Sequence, residues 1–367
     1  MRILCVIDTF KIGGGAQTQM AGLATMLKSY GHDVVALSYY NNPPEVSFEP
    51  YLKESGVEYK CLDNAINIYD KLVGVKSVIT EFNPDTVIAY IDGPTSICCL
   101  IKALGGNFRL IVSERNVTQN ITFKERLKFH LYRFADVIVP NAYSQERFIK
   151  YRYPFLADKV CTISNFVDTE VFHPKEYADD CVKKTLEILI VARVNPQKNV
   201  LNFLLALDIV RSYNIEFHVD WYGNPTHGYY EKCISLVRNL NLNNNISFYD
   251  AIKNIDCIYT NDKYDVYCLP SLFEGCPNTL AEAMACGLPI LCSDVCDNAM
   301  YVNSGVNGFL FNPKLPQDIA NAILAFSKTN TKIRDKMGSN GRAIAQEKLS
   351  KKAFIAKYLN IINGCLL

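Results

Sequence analysis

Residues 273–290 read FEGCPNTLAEAMACGLPI: a carboxylate in a Gly/Pro loop, a helix start, and a second carboxylate eight residues after the first. The spacing predicts a helix capped by Asn278 or Thr279, with Leu280, Ala283, Met284 and Ala285 on its inner face and Gly287 closing it ahead of Pro289. Glu282 then lies one turn beyond Asn278. Free N–H groups at a helix start make an anion site, and Gly275 and Pro277 let the preceding backbone approach a phosphate closely. The geometry suits a nucleotide diphosphate. Two short apolar runs, residues 266–269 and 290–292, bracket the segment and make it the helical leg of a strand–helix–strand unit.

The same alternation extends outward in both directions. Residues 186–191, 215–221 and 246–248 read as further buried strands, separated by helical segments at 199–212 and 229–240. An earlier set of runs, 3–7, 34–37, 86–90, 110–112 and 137–139, alternates with segments 16–30, 69–82, 95–104 and 123–134, whose apolar positions recur at helical spacing. The expected fold class is α/β: two Rossmann-like doubly wound domains facing each other across a cleft at their strand ends. A length of 367 residues exceeds one ordinary core and suits two of roughly 170 to 190 residues, and an apolar content of 49% can fill both. The polar stretch 173–184 is the expected junction, giving domains 1–172 and 173–350, with an amphipathic segment 351–367 placed to pack back on the first.

Charge excludes one broad class. With 38 basic and 37 acidic residues there is no global bias towards a polyanion, and no nucleic-acid partner is expected. A local excess does exist, nine basic against four acidic residues over 109–152. Within it, residues 123–134 interleave Lys124, Arg126, Lys128 and Arg133 with Phe123, Leu127, Phe129, Leu131, Tyr132 and Phe134. Such a helix either lays its aromatic side chains on an anionic membrane surface or turns them into the core. The fourteen cysteines are scattered without a CxxC pair, the pattern of reduced core thiols rather than a disulfide scaffold. The N terminus opens directly as a strand and no 18-residue uncharged run occurs, so a cytoplasmic protein is expected, at most peripheral on the inner face of the membrane. Five histidines without HxxxH spacing, and no Asp-x-Asp, give no expectation of a metal.

Three further clusters carry polar chemistry. Gly13, Gly14 and Gly15 precede a helix and can bring backbone N–H groups to a phosphate or sugar, or form a plain tight turn; Thr18 stands where a dinucleotide fingerprint needs its third glycine. The segment 191–199, VARVNPQKN, sets Arg193 and Lys198 around Pro196 after a strand, as a pair of cations for a departing diphosphate or as solvated surface charge. Ser113, Glu114, Arg115 and Asn116 end another strand, either beside an acceptor or in a turn. Glu274 and Glu282 can be read as the acid and base of a hydrolase. Their setting beside an anion site favours carboxylates that accept hydrogen bonds from sugar and ribose hydroxyls.

Taken together, residues 13–17, 163–172 (ISNFVDTEVF), 191–199 and 273–290 resemble the retaining glycosyltransferases of family 4, glycosyl transferases group 1, which have the GT-B fold. The resemblance implies that Arg193 and Lys198 bind the donor diphosphate and act in catalysis with Glu274, which contacts the donor hexose. It implies that Glu282 holds the ribose, and that Gly275, Cys276, Pro277, Asn278 and Thr279 lie beside sugar and phosphate, with Gly14 and Gly15 across from them. Ser113, Glu114, Arg115 and Asn116 become acceptor-side candidates. No cofactor is implied beyond the nucleotide-sugar co-substrate, a UDP-sugar by this likeness. The expected partners are that donor and a saccharide or lipid-linked saccharide acceptor, in surface polysaccharide or glycolipid synthesis. A soluble acceptor and a non-catalytic nucleotide-sugar-binding partner are the competing readings. The chain departs from the family at residues 113–116, where many relatives carry a His, at 165–166, where Asn-Phe replaces a common Asn-Gly, and at 296–301.

Overall fold

The computed structural model describes residues 1–63, 66–118, 120–174, 185–252 and 255–365. Most of the stretch expected as the junction, 175–184, lies outside them.

Short runs of Val, Ile and Leu too apolar for a solvated face become central strands, and here they build two six-stranded sheets. In the first, β1 (Arg2–Thr9), β2 (Asp33–Tyr40), β3 (Glu58–Cys61), β4 (Thr86–Tyr90), β5 (Arg109–Glu114) and β6 (Val137–Pro140) lie in the order β3-β2-β1-β4-β5-β6. The second repeats it with β7 (Leu186–Val191), β8 (Phe217–Tyr222), β9 (Ile246–Tyr249), β10 (Val266–Leu269), β11 (Ile290–Ser293) and β12 (Gly308–Phe311), ordered β12-β11-β10-β7-β8-β9. All pairings within both sheets are parallel. In each, the order reverses between the first and fourth strands, the switch point beyond whose carboxyl ends open α/β sheets bind ligands.

The chain divides into two compact units, Met1–Asn165 with Phe354–Leu367, and Phe166–Ala353. The break therefore falls at 165/166, ahead of the expected 172/173. The change comes at Val167, from which the backbone bonds within the second unit, its N–H donating to the Leu349 carbonyl at 2.7 Å. In the first unit, the terminal helix Lys351–Ile362 brings the Tyr358 hydroxyl to 2.7 Å from that of Tyr90, and its Ile361 carbonyl accepts from Arg109 Nε at 2.9 Å.

Two edge strands were not expected. β3 (EYKC) is largely solvated and lacks an apolar run, and β12 (GFLF) begins at Gly308, where a Cβ would sit 1.8 Å from the Ile290 carbonyl oxygen. Residues 123–134 also divide, into a helix Phe123–Leu131 and a 3₁₀ turn Tyr132–Phe134.

Candidate functional site

The carboxyl end of β7 supplies the first half of the site. Pro196 opens a short 3₁₀ turn, Pro196–Lys198, and Asn195 caps it, its Oδ1 accepting from the Lys198 N–H at 3.1 Å. Asn199 closes the turn at φ +58°, left-handed backbone that asparagine tolerates better than most side chains. Its buried Nδ2 donates to the carbonyls of Pro270 at 3.1 Å and Pro313 at 2.7 Å. Gln197 ties the turn to the loop after β10: its carbonyl accepts from the Leu272 N–H at 2.8 Å and its Nε2 donates to the Phe273 carbonyl at 3.0 Å.

That clamp brings Lys198 to Glu274. Nζ and Oε1 stand 2.5 Å apart, with the side chains only 13% and 7% exposed. Each charge compensates the other's lost hydration, so neither can be removed alone without cost. Arg193, on the same β7 loop, is exposed and makes no hydrogen bond or ion pair with the described residues. Lys198 and Glu274 are thus brought together, while the Arg193 guanidinium stands apart from the pair.

The second half is the helix Asn278–Ala285. Neither Asn278 nor Thr279 caps it, contrary to expectation; Pro277 holds the cap position in extended backbone and makes no side-chain cap hydrogen bond. A proline cap has no side-chain acceptor to offer, and the Thr279 hydroxyl is engaged by Tyr267 at 2.8 Å. The positive end of the helix therefore remains unneutralised by the helix's own first turn, which holds no acidic residue. Gly275, Cys276 and Pro277 form the loop that delivers the chain to this point. At the far end Gly287 adopts φ +78°, its N–H bonding the Met284 carbonyl at 3.0 Å, as does Leu288 N–H to that of Ala283 at 3.0 Å. The helix Thr331–Lys348 packs backbone to backbone on this cap: a Cβ on Gly338 would lie 1.9 Å from the Gly287 carbonyl oxygen.

Glu282, one turn into the helix, is partly buried, and the Tyr259 hydroxyl donates to its Oε2 at 3.1 Å. Burial pushes the Glu282 carboxyl up to about 7, with the Tyr259 hydrogen bond working against that rise. A basic side chain, two carboxylates and an open helix N terminus therefore share the switch-point end of the second sheet. Together they can receive a diphosphate flanked by hydroxyl-bearing groups.

The first unit disposes of its candidates differently. Gly13 takes φ +95°, Gly14 caps the helix Gly15–Ser29 without a side-chain bond, and Gly15 begins it. Ser113 is fully buried and donates to the Val139 carbonyl at 2.8 Å. Glu114 is buried, accepting from Lys128 Nζ at 2.9 Å and from the Tyr132 hydroxyl. Arg115 bonds Asn165 Oδ1 at 2.8 Å and the Tyr358 hydroxyl at 3.1 Å, and stacks 3.7 Å over the Tyr90 ring. These three side chains hold the unit together rather than projecting from its strand end; Asn116 alone of the four is exposed.

Lys128 likewise leaves the lipid-facing set expected of residues 123–134. It is buried between Glu114 and Asp92, 3.0 Å from the latter. Burial works against its charge, but the two carboxylates outweigh it and hold the ammonium above the usual lysine range. Phe129 and Tyr132 are buried as well. What faces solvent is Phe123 (82% exposed), Leu127 (54%) and Phe134, among exposed Lys124, Arg126 and Arg133. Sequence reasoning missed Asp92, Gln197, Tyr259 and Tyr267. Gln197 sat visibly between two singled-out cations, whereas nothing local to Tyr259 announced its partner 23 residues away. Among the described residues no helix is long and apolar enough to cross a membrane, and no group of three or more His, Cys, Asp or Glu side chains is placed to share a metal ion.

Comparison with known proteins places this geometry in a class. The model of glycosyl transferases group 1 matches residues 179–344 and that of glycosyltransferase family 4 matches residues 13–171. EpsF of Bacillus subtilis (strain 168), whose name calls it a glycosyltransferase, is 26% identical over 297 residues, 77% of this chain and 76% of its own. The UDP-Gal:alpha-D-GlcNAc-diphosphoundecaprenol alpha-1,3-galactosyltransferase of Escherichia coli is 29% identical over 198 residues, 50% of this chain and 49% of its own. Among solved structures, Anabaena HepE in complex with UDP and glucose superposes with a TM-score of 0.83 at 17% identity, over 99% of this chain and 100% of its own. The chain belongs to the family-4 glycosyltransferases with the GT-B fold.

Proposed function

We propose that this glycosyltransferase moves a hexose or N-acetylhexosamine from a UDP-sugar to a saccharide carried on a lipid, in surface polysaccharide or glycolipid synthesis, with retention at the anomeric carbon. The observation that carries the reading is the convergence of Lys198, Glu274, Glu282 and the proline-capped helix start on one end of the second sheet. The name of the E. coli relative, which pairs UDP-Gal with a diphosphoundecaprenol acceptor, and the UDP in the HepE complex support the choice of donor and acceptor class.

In this reading Lys198 and the helix N terminus neutralise the diphosphate as it departs, and the exposed Arg193 swings onto it from the same loop. Glu274 accepts from hexose hydroxyls and Glu282 from the ribose. The acceptor hydroxyl attacks from the leaving-group side and passes its proton to a diphosphate oxygen, so that no covalent enzyme nucleophile is needed. The reaction draws on no resident cofactor or metal, since two cations and a helix dipole supply the charge at the leaving group.

The solvent-facing stripe of residues 123–134 is the surface offered to an anionic membrane, where the protein would act peripherally from the cytoplasmic side. Phe155, half-exposed with Arg133 5.6 Å from its ring centroid, extends that stripe. Thermal-shift screening across nucleotides and UDP-, ADP- and GDP-sugars tests the donor. A UDP-sugar at roughly 100-fold its Kd adds about 2.7 kcal/mol of apparent stability, and no shift with any nucleotide sugar refutes the reading. Transfer of labelled sugar to lipid-diphosphate saccharides, with the product's anomeric configuration read by NMR, tests the rest.

A further inference from the structure

Two buried tyrosines from outside the two-carboxylate segment reach the first turns of its helix. Tyr267, on β10, bonds the Thr279 hydroxyl at 2.8 Å. Tyr259 ends the short helix Asp256–Tyr259 and is about 1% exposed, its ring edge-on to Phe172 and tilted against Tyr267, both at centroid distances of 5.9 Å. Its hydroxyl lies 3.1 Å from Glu282 Oε2 and 3.4 Å from the Thr279 carbonyl oxygen. The aromatic packing fixes where that hydroxyl sits, so it presents a donor to one carboxylate oxygen of Glu282 before any ligand arrives. The second oxygen is left for an incoming hydroxyl.

We infer that Tyr259 is a positioning residue: it holds Glu282 in the orientation and the ionised state that accept a hydrogen bond from the ribose of a nucleotide sugar. The inference rests on the donor reading above. A neutral carboxylic acid keeps one accepting oxygen but holds a hydroxyl donor more weakly than the carboxylate does, so ribose recognition of this kind is strongest in the ionised state. Burial brings Glu282 to about 7, within reach of neutral pH, which makes a donor to the charged form consequential.

Burial raises the values of three side chains near Glu282, so that they keep their protons through that window. Tyr259 and Tyr267 are pushed by burial well above the usual phenol range, and Cys286, at the C-terminal cap of the helix, is pushed up to about 12, also by burial. Arg342, from the helix Thr331–Lys348, bonds the Ala285 carbonyl, and both it and Asp256 act on Cys286. Burial thus brings Glu282 near neutrality, and carries the two tyrosines and Cys286 away from it.

The test is calorimetric titration of the full chain with UDP-glucose between pH 5.5 and 8.5, a range over which the diphosphate diester keeps constant charge. Wild type should bind more tightly as pH rises, with a midpoint near neutrality. Tyr259→Phe keeps the ring and loses only the hydroxyl. It should move that midpoint upward by roughly half to one pH unit, weaken binding at pH 7 by roughly twofold to fivefold, and approach wild-type affinity at pH 8.5. Glu282→Gln should abolish the pH dependence, and Tyr259→Phe added to it should change nothing further. A purely structural role for Tyr259 would weaken binding equally at every pH, and that result overturns the inference, as does a curve superimposable on wild type. Wild type that binds no UDP-, ADP- or GDP-sugar at any pH fails the donor reading itself and takes this inference with it.

Discussion

Removing either partner of the Lys198–Glu274 pair should destabilise the second unit about as much as removing both. At 2.5 Å, with side chains 13% and 7% exposed, the pair is largely dry, and Lys198→Met leaves a carboxylate that is itself 6% exposed without its counter-ion. Breaking a buried pair from one side costs about 3 to 5 kcal/mol, and the solvent still reaching Lys198 puts the expectation at the lower end, about 3 kcal/mol. Glu274→Gln should cost about as much. The double variant, with two neutral side chains of similar volume, should lose no more than either single, giving a coupling of roughly 3 kcal/mol in a double-mutant cycle.

Urea unfolding followed by tryptophan fluorescence suits the measurement. The chain has one tryptophan, Trp221, fully buried in β8 with its Nε1 donating to the Ala192 carbonyl at 2.7 Å, so the signal reports the unit that carries the pair. Additive effects to within roughly 0.5 kcal/mol, or single variants as stable as wild type, would refute the reasoning that these charges depend on each other.

Kinetically, Lys198→Ala should lower kcat by about a hundredfold, since leaving-group charge grows in the transition state, whereas Glu282→Ala should act chiefly on KM for the donor; steady-state assays separate the two. Because the folded-state Glu282 carboxyl stands at about 7 against an ordinary 4.5, the folded protein binds this proton more tightly than the unfolded chain. Its contribution is complete below about pH 4.5 and lost as pH rises through 7, by at most roughly 3 kcal/mol, and Glu282→Gln should flatten that part of the stability profile in chemical denaturation across pH. Gly338→Ala should cost about 2 kcal/mol or more by forcing apart the contact with the Gly287 carbonyl, read as a lower Tm. Phe123→Asp with Leu127→Asp should abolish flotation with phosphatidylglycerol vesicles while leaving Tm unchanged, both side chains being mostly exposed.

Central strands were legible because burial on both faces leaves a continuous apolar run: residues 86–90, 186–191 and 266–269 coincide with β4, β7 and β10. Two of the four edge strands escaped, β3 because much of its surface is solvated and β12 because a glycine opens so short a run, whereas the edges β6 and β9 kept readable apolar runs. In the second unit, local turn chemistry pointed to Lys198 and Glu274, since proline, asparagine and glycine act within a few residues of themselves. The partners of the first-unit cluster at 113–116 could not be read from sequence for a matching reason. Polar side chains at a strand end read alike whether they meet solvent or a neighbour distant in sequence, and only the fold brings Lys128, Tyr132, Asn165 and Tyr358 to Glu114 and Arg115.

The proline that caps the helix Asn278–Ala285 also limits how the site can evolve. A serine, aspartate or asparagine at position 277 would strengthen the helix by filling its own end, a change that stability alone favours. The same substitution would seat an oxygen, or a full negative charge, where the proposed function places the donor's diphosphate. A sturdier variant bought in this way would be a poorer host for phosphates, so the helix stays less stable than its sequence could make it for as long as the anion matters.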